Sequence, residues 1–482
     1  RVSGANSATS KYERIILPKV WDVVRDTLMM KARAEHGHDV SYLVCDYEDA
    51  FFKVPLSPAE RKYFATALGD DIFIWERIGQ GSLNGPTVSG RLSAMVGRLS
   101  QSMFSTSEAR VQIYTDDPIT TIYATPERTK RVVAIIIMAW MVLGFSMAFH
   151  KAQLAKTVDW VGYKISSLYE AMKAEIKESF IQDMRATTEE IVSQNFLGIR
   201  KLRSYTGRAN HIANLLFSWR PFLDALWAAC SVGGSIKDAE TARGKNRKKK
   251  KTRAVKGTIW TKQVLSSIVW IRAFLAEIHG PLHRTWTLEA FQEPLNIVKM
   301  ILDASPFGLG GVLLVNDKVV AYFSSPLTKD DERIHRQKRG EAQGQQVWEC
   351  LAVLVALRIW QQHWLARKAA ITIRSDNMSA LTMAARLKVA KASNLIGREV
   401  AFLYCQAAFE PRIVEHVPGV ANTVADDLSR LWDTNRAHQI PTALRDVEPT
   451  LAPRRTRSWY TTLSAEQVGK IRPLRRRRRP RS

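Results

Sequence analysis

Two aspartates stand side by side in RVQIYTDDPITTIYA (residues 110–124), at the tip of what reads as a β-hairpin carried by Val111, Ile113, Ile119, Thr121 and Tyr123. Adjacent carboxylates repel, and more so where water is excluded. Asp116 and Asp117 therefore have two readings. Thr115-Asp116-Asp117-Pro118 is turn chemistry, or the pair holds a divalent cation whose charge relieves the repulsion. The second reading needs a carboxylate from elsewhere. YLVCDYEDAFFKVPL (42–56) offers one: an apolar strand, Tyr42 to Cys45, runs straight into Asp46, and Asp49 follows three residues later. A carboxylate at the end of a buried strand is costly without a partner. Asp46, Asp116 and Asp117 together suit two Mg²⁺ ions, with Mn²⁺ as a substitute. Such a pair activates a 3′-hydroxyl and stabilises a leaving pyrophosphate, which is phosphoryl transfer by position and charge.

A second acidic set lies downstream. NIVKMILDASPFGLGGVLLVNDKVVAYFSSPL (296–327) reads as three strands with turns at Pro306-Phe307-Gly308 and Asn316-Asp317, and Asp303 ends the first. QQVWECLAVLVALRIWQQHWL (345–365) has helical apolar spacing, and Glu349 is its only acid. AITIRSDN (370–377) is a strand ending at Asp376. PRIVEHVPGVANTVADDLSRL (411–431) is a strand, a loop and a helix bearing His416, Asp426 and Asp427. Two acids at strand ends and one on each of two helices make a four-carboxylate set, suited to two-metal hydrolysis.

The order of these blocks carries a resemblance. D-x-x-D-A-F at 46–51, RIGQGSLNGPTVSGRL (77–92), Y-x-D-D at 114–117, GFSMAFHKAQ (144–153) and VDWVGYKI (158–165) follow one another as in the reverse transcriptases of retroviruses and retrotransposons, over residues 1 to about 225. The resemblance implies a right-hand polymerase whose metal ligands are Asp46, Asp116 and Asp117. Asp49 would lie beside the incoming triphosphate, and Phe51 would wall off a 2′-hydroxyl. Gln80 and Gly81 would meet nucleotide or template. Lys151 would give a proton to pyrophosphate, or be an ordinary surface lysine. The family's triphosphate-gripping hairpin would fall before residue 1, so the chain reads as truncated at its start. Ser82-Leu83 and Gly85 stand where relatives often show a lysine and a serine, and Pro118 after Asp117 is unusual.

LDAS, E-x-x-A-x-x-x-A-L, SDN and AD-x-L-S-R, over about 296–432, resemble the ribonuclease H domain fused to retroelement polymerases. That likeness implies Asp303, Glu349, Asp376 and Asp426 as metal ligands and His416 as an aid to proton transfer or product release. Asn422 would fix the loop, and Asp427 would be a surface charge. The wording leans toward retrotransposons. The implied activities are RNA-directed DNA synthesis and cleavage of the RNA strand of RNA–DNA hybrids. The implied partners are an RNA template, a DNA primer, the hybrid and deoxynucleoside triphosphates. Rival readings are a nucleic-acid-binding relic, and a ribonuclease H carried on a polymerase-shaped scaffold.

Elements must deliver these groups. The expected fold is α+β and α/β multidomain: partial fingers, palm and thumb, then a ribonuclease H-like mixed sheet. The expected divisions are fingers and palm (1–165), thumb-like helices (166–230), a basic linker or insert (231–257), a connection (258–295), the hydrolase-like domain (296–432) and a basic Pro/Arg-rich tail (433–482). EAMKAEIKESFIQDMRATTEEIVSQ (170–194) reads as helix. Lys201, Arg203 and Arg208 would meet phosphates or be helix-surface charge. VVAIIIMAWMVLGFSMAF (132–149) has 18 uncharged residues, and reads as a buried helix ending near Gly144 rather than a membrane span.

Composition agrees. The 482 residues are 46% hydrophobic and carry a net charge of +25, which points to nucleic acid or an anionic surface. GKNRKKKKTRAVKG (244–257) and residues 454–482 supply 18 of those charges. Each is a solvated segment, or a nuclear-import or phosphate-binding one. Cys45, Cys230, Cys350 and Cys405 form no CxxC pair, which excludes a zinc ribbon and points to reduced thiols. No signal peptide opens the chain. The expected location is intracellular, nuclear or cytoplasmic.

Overall fold

A computed structural model describes residues 15–79, 81–232, 257–292, 294–366, 368–407, 413–434 and 439–464. Gln80, most of the basic insert (233–256) and the end of the basic tail (465–482) lie outside the described residues. The chain is a multidomain mixture of helix and sheet. It divides into two units, residues 1–177 with 285–292, and residues 178–284 with 293–482.

In the first unit α1 (Val20–Lys31) precedes β1 (Asp39–Val44), and a small hairpin, β2 (Ala65–Leu68) and β3 (Asp71–Ile74), leads to α2 (Gly85–Ser102). Then come β4 (Ala109–Tyr114), β5 (Asp117–Ala124), α3 (Pro126–Val142) and β6 (Gln153–Ala155). The sheet order is β4-β5-β1-β6. β1 and β5 are its inner strands, and their apolar and β-branched residues are buried. Thr125 caps α3, accepting from the Arg128 amide, and Pro126 sits in its first turn. Val132, Ile136 and Trp140, four residues apart, are buried on one face of α3, while Met138, Met141 and Val142 are exposed. The helix stops before Gly144 (φ 83). Among the described residues no helix is long and apolar enough to cross a membrane.

β7 (Thr157–Trp160) and β8 (Tyr163–Ser167) form a hairpin closed by Val161 and Gly162, both at positive φ. β9 (Ala171–Ile176) joins them, so residues 171–176, expected as helix, are strand. Met172, Ala174 and Ile176 are buried and the residues between them are not; that period of two wins locally over helix propensity. This moves the end of the first unit from residue 165 to 177. Residues 285–292, expected in the connection, also return to it.

The second unit opens with α4 (Glu178–Ser193), β10 (Phe196–Gly198), α5 (Ile199–Leu215) and α6 (Arg220–Val232), then β11 (Thr258–Trp260) and α7 (Leu265–Leu275); β12 (His283–Thr287) follows, its last three residues counted with the first unit. Lys201 pairs with Glu190, Arg203 donates to the Cys230 carbonyl and Arg208 donates to Thr187. All three therefore brace the helices, which favours the local-charge alternative over phosphate contacts. Further on lie β13 (Asn296–Ala304), β14 (Gly308–Val315), β15 (Lys318–Pro326), α8 (Lys329–His335), α9 (Gln345–Ile359), β16 (Ala369–Ser375), α10 (Met378–Arg386), α11 (Asn394–Gln406), β17 (Ile413–His416) and α12 (Thr423–Arg430). The sheet order is β15-β14-β13-β16-β17, antiparallel on one side of β13 and parallel on the other. Asn316 and Asp317, both at positive φ, make the β14–β15 turn. α9 is buried nearly all round, from Val347 to Leu357. Phe217, ahead of α6, joins the same apolar core.

Residues 439–464, expected within a basic tail, pack onto this domain. Arg455 makes a forked ion pair with Asp331 (2.9 and 2.8 Å), and both side chains are buried. Tyr460 bonds His335 at 2.8 Å, and the Thr461 and Thr462 amides donate to buried Glu399. The arginine count concealed this strap. A guanidinium whose donors are all satisfied can be buried, and its charge says nothing of exposure.

Candidate active sites

The first site is made by strand register. β1 pairs antiparallel with β5, Val44 opposite Ile119, and the Cys45 amide donates to the Pro118 carbonyl at 3.2 Å. Two residues on, the Tyr47 amide donates to the Asp116 carbonyl at 3.2 Å. Asp46 is thereby set against Asp116 and Asp117. Thr115 at φ 58 makes the tight turn, and Ser93 from α2 holds its carbonyl. Burial, then the neighbouring Asp116 and Asp46, push the Asp117 carboxyl up to about 6. Asp116 is raised by burial and by Asp46. Lys151 Nζ donates to Asp46 Oδ2 at 2.5 Å, and this bond raises the lysine pKa. Asp49 (φ 52) is exposed ahead of a 3₁₀ turn, Ala50–Lys53, and Phe51 in that turn packs with Val54, Leu56 and Ile78. Gly81 sits at φ 93; Gln80 lies outside the described residues.

The second site is tighter. Ligand oxygens of Asp303, Glu349 and Asp376 all lie within 4.8 Å of one another, the one such trio among the described residues. Asp303 is the last residue but one of β13, Glu349 projects from α9 and Asp376 follows β16. Parallel pairing of β13 with β16 brings the two strand ends to the same edge. Asp303 and Glu349 are each 4% exposed. Burial, then like charge, pushes both carboxyls well above the usual range, with Asp426 and Asp376 acting on Asp303 and Asp303 itself acting on Glu349.

Glu349 Oε1 accepts from Gln345 at 2.8 Å, while buried Oε2 makes no hydrogen bond of ordinary geometry among the described residues. An unsatisfied buried carboxylate oxygen facing two more carboxylates fits a hard divalent cation, for which oxygen donors are the preferred set. Asp426 stands outside the trio, and its Oδ1 accepts from Arg430 at 2.6 Å. The register of β16 with β17 sets Ser375 opposite His416, whose Nε2 lies 3.1 Å from the Asp376 carbonyl. A Cβ on Gly419 would lie 3.1 Å from Asp376 Oδ2, so the loop after β17 closes on that carboxylate.

Sequence reasoning placed the trio, His416 and Asn422, whose Nδ2 donates to the Leu302 carbonyl at 3.1 Å. It missed Gln345, Ser429 and Arg430. Gln345 and Glu349, like Asp426 and Arg430, are four apart on a helix, and that spacing was the available signal.

Residues 8–165 match the family model for reverse transcriptase (RNA-dependent DNA polymerase), a span holding Asp46, Asp116, Asp117 and Lys151. Those residues are a reverse transcriptase domain. Among solved structures, the chain is similar to a foamy viral protease-reverse transcriptase dRH in complex with double-stranded DNA: 16% identity, TM-score 0.40, 86% of this chain and 61% of that one. It is also similar to a foamy viral protease-reverse transcriptase in complex with RNA/DNA hybrid, at 18% identity and TM-score 0.39 over 86% of this chain and 47% of that one. A third, that protein in complex with double-stranded DNA, has 18% identity and TM-score 0.38 over 79% and 68%. The chain thus spans about half to three fifths of the first two. No curated protein matches it.

Proposed function

We propose that this chain comes from a retroelement and is an RNA-directed DNA polymerase joined to a ribonuclease H. The reverse transcriptase domain would copy template at Asp46, Asp116 and Asp117, and the second site would cut the RNA strand of the hybrid. The observation that carries the polymerase half is the family match across all three carboxylates of the first site. The buried trio Asp303, Glu349 and Asp376 supports the nuclease half.

Asp46, Asp116 and Asp117 would hold Mg²⁺ or Mn²⁺ in one site, and Asp303, Glu349, Asp376 and Asp426 in the other. Bound divalent ions lower the pKa of the attacking hydroxyl or water and neutralise the charge on the leaving oxygen. The protein's own part is placement. Ladder hydrogen bonds fix Asp46 beside the aspartate pair, and Lys151 is poised with a proton at Nζ beside Asp46. Asp49, Phe51, Gln80 and Gly81 would receive the deoxynucleoside triphosphate and the template. His416, exposed and beside Asp376, would hold or move a proton for the departing product.

A second reading has the nuclease alone active. It is favoured by the contrast between a gathered trio in the second site and a lysine bound to Asp46 in the first. One assay separates the two. A labelled RNA–DNA hybrid with a recessed primer is given Mg²⁺ and deoxynucleotides, with Asp117→Asn and Asp376→Asn beside the parent. Loss of extension alone from the first variant and of RNA cleavage alone from the second supports both activities. Cleavage without extension by the parent leaves the nuclease alone. Neither activity refutes both readings.

A further inference from the structure

Asp303 is held from one helix. Ser429 of α12 is wholly buried, and its hydroxyl lies 2.8 Å from Asp303 Oδ2. Its one proton has a competing acceptor, the Asp426 carbonyl at 2.9 Å, the ordinary backward bond of a helical serine, but an ionised carboxylate is the stronger acceptor. Asn422, just before α12, places Nδ2 3.4 Å from Asp303 Oδ1. The helix that carries Asp426, with the residue just before it, therefore also reaches both oxygens of Asp303.

Its seat is close. A Cβ on Gly310 would fall 2.5 Å from the Ala425 carbonyl and 2.6 Å from the Ser429 amide, and one on Gly308 would fall 2.6 Å from the Ser429 carbonyl. Glycine at both positions lets the helix lie directly on β14. Ser305 secures it by donating to the Ser429 carbonyl at 2.7 Å.

We propose that Ser429 is a positioning residue of the hydrolytic site, its hydroxyl fixing the carboxylate of Asp303 toward Glu349 and Asp376 so that the trio is preformed for divalent ions. The proposal rests on the nuclease reading of that site. A carboxylate turns about two torsions. Near two like charges it rotates away unless a donor holds it, and a charge-assisted bond in a buried site is a strong one. Partners of this kind change metal affinity by roughly 10–100-fold. Linkage adds a reciprocal effect: ions that bind the trio also stabilise the docked α12.

The test is a Mn²⁺ titration of the full chain by calorimetry, in an Asp46→Asn/Asp117→Asn background that silences the first site. Asp376→Asn defines the component belonging to the second. Ser429→Ala and Ser429→Cys are expected to weaken that component by roughly ten-fold or more. Cysteine refills the volume but is a poor donor, so a packing role predicts recovery in the cysteine variant and a hydrogen-bonding role does not. Ser305→Ala, which loosens α12 but leaves the Ser429–Asp303 bond in place, is expected to weaken Mn²⁺ binding less than either Ser429 variant does. Parent-like affinity in either Ser429 variant overturns the proposal alone. If Asp376→Asn removes no component from the titration, the nuclease reading fails and takes the proposal with it.

Discussion

Glu349→Gln should make the protein more stable without metal and indifferent to metal. Three carboxylates share a space in which their ligand oxygens are within 4.8 Å, and two of them are almost wholly buried. At that separation and an effective dielectric near 20, each charged pair repels by about 3 kcal/mol. An amide at Glu349 removes its repulsion with both neighbours and keeps an oxygen for Gln345. Its NH₂ is then a donor facing the other two carboxylates. Near neutrality Asp303, whose carboxyl is pushed up to about 7, is already partly protonated, which hides part of the gain, so the measurement belongs at mildly alkaline pH. Counting one pair's worth, about 3 kcal/mol, the melting temperature of the second unit should rise by roughly 6–12 °C in EDTA. Tryptophan fluorescence reports on it, because Trp348, Trp360 and Trp364 are buried in that core. Added Mg²⁺ should stabilise the parent and leave the variant almost unmoved. A variant that melts lower than the parent in EDTA, or gains as much from Mg²⁺, refutes the assignment of this trio as a strained ion site.

Three further outcomes are expected. Arg455→Met leaves Asp331 buried and unpaired, and should cost about 3–5 kcal/mol, read as a lower urea midpoint; adding Asp331→Leu should recover most of it. His335 is held neutral by burial, its pKa pushed down to about 4, so the unfolded chain binds the proton first as pH falls. Its contribution is intact above about pH 6.5 and is lost between there and about pH 4, by about 3 kcal/mol in all; His335→Asn should flatten that part of the pH–stability curve. Gly310→Ala drives a methyl into the backbone of α12, and should abolish RNA cleavage while primer extension continues.

Much of both sites was legible in the chain because the chemistry is written in short blocks. Carboxylates at strand ends stand out against apolar runs, which points to Asp303 and Asp376, while Glu349 is the only acid on its helix; the choice of Asp426 over Asp427 came from the family resemblance. The three strands of 296–327 and the hairpin around Asp116 followed from apolar and β-branched runs bounded by turn residues. The helix expected over residues 171–176 failed because Ala, Met, Lys and Glu favour helix, while a neighbouring strand's ladder bonds favoured extension. The strap of residues 439–464 failed for another reason: its arginines look solvated until Asp331 and Glu399 are known to await them.

By itself, then, the sequence determined the residue types, their order and the periodicities that make β1, β5, β13 and α9. These are local properties, fixed by side-chain chemistry and backbone preference. Only the tertiary structure decided which of those acids meet. Register across β1 and β5 set Asp46 against the aspartate pair, the parallel step from β13 to β16 brought Asp303 to Asp376, and a serine three residues beyond Asp426 was folded back to hold Asp303. Such pairings join groups from 70 to 126 residues apart in the chain. Chain entropy opposes each of them, and only the packing of a complete core, which no single segment encodes, outweighs it.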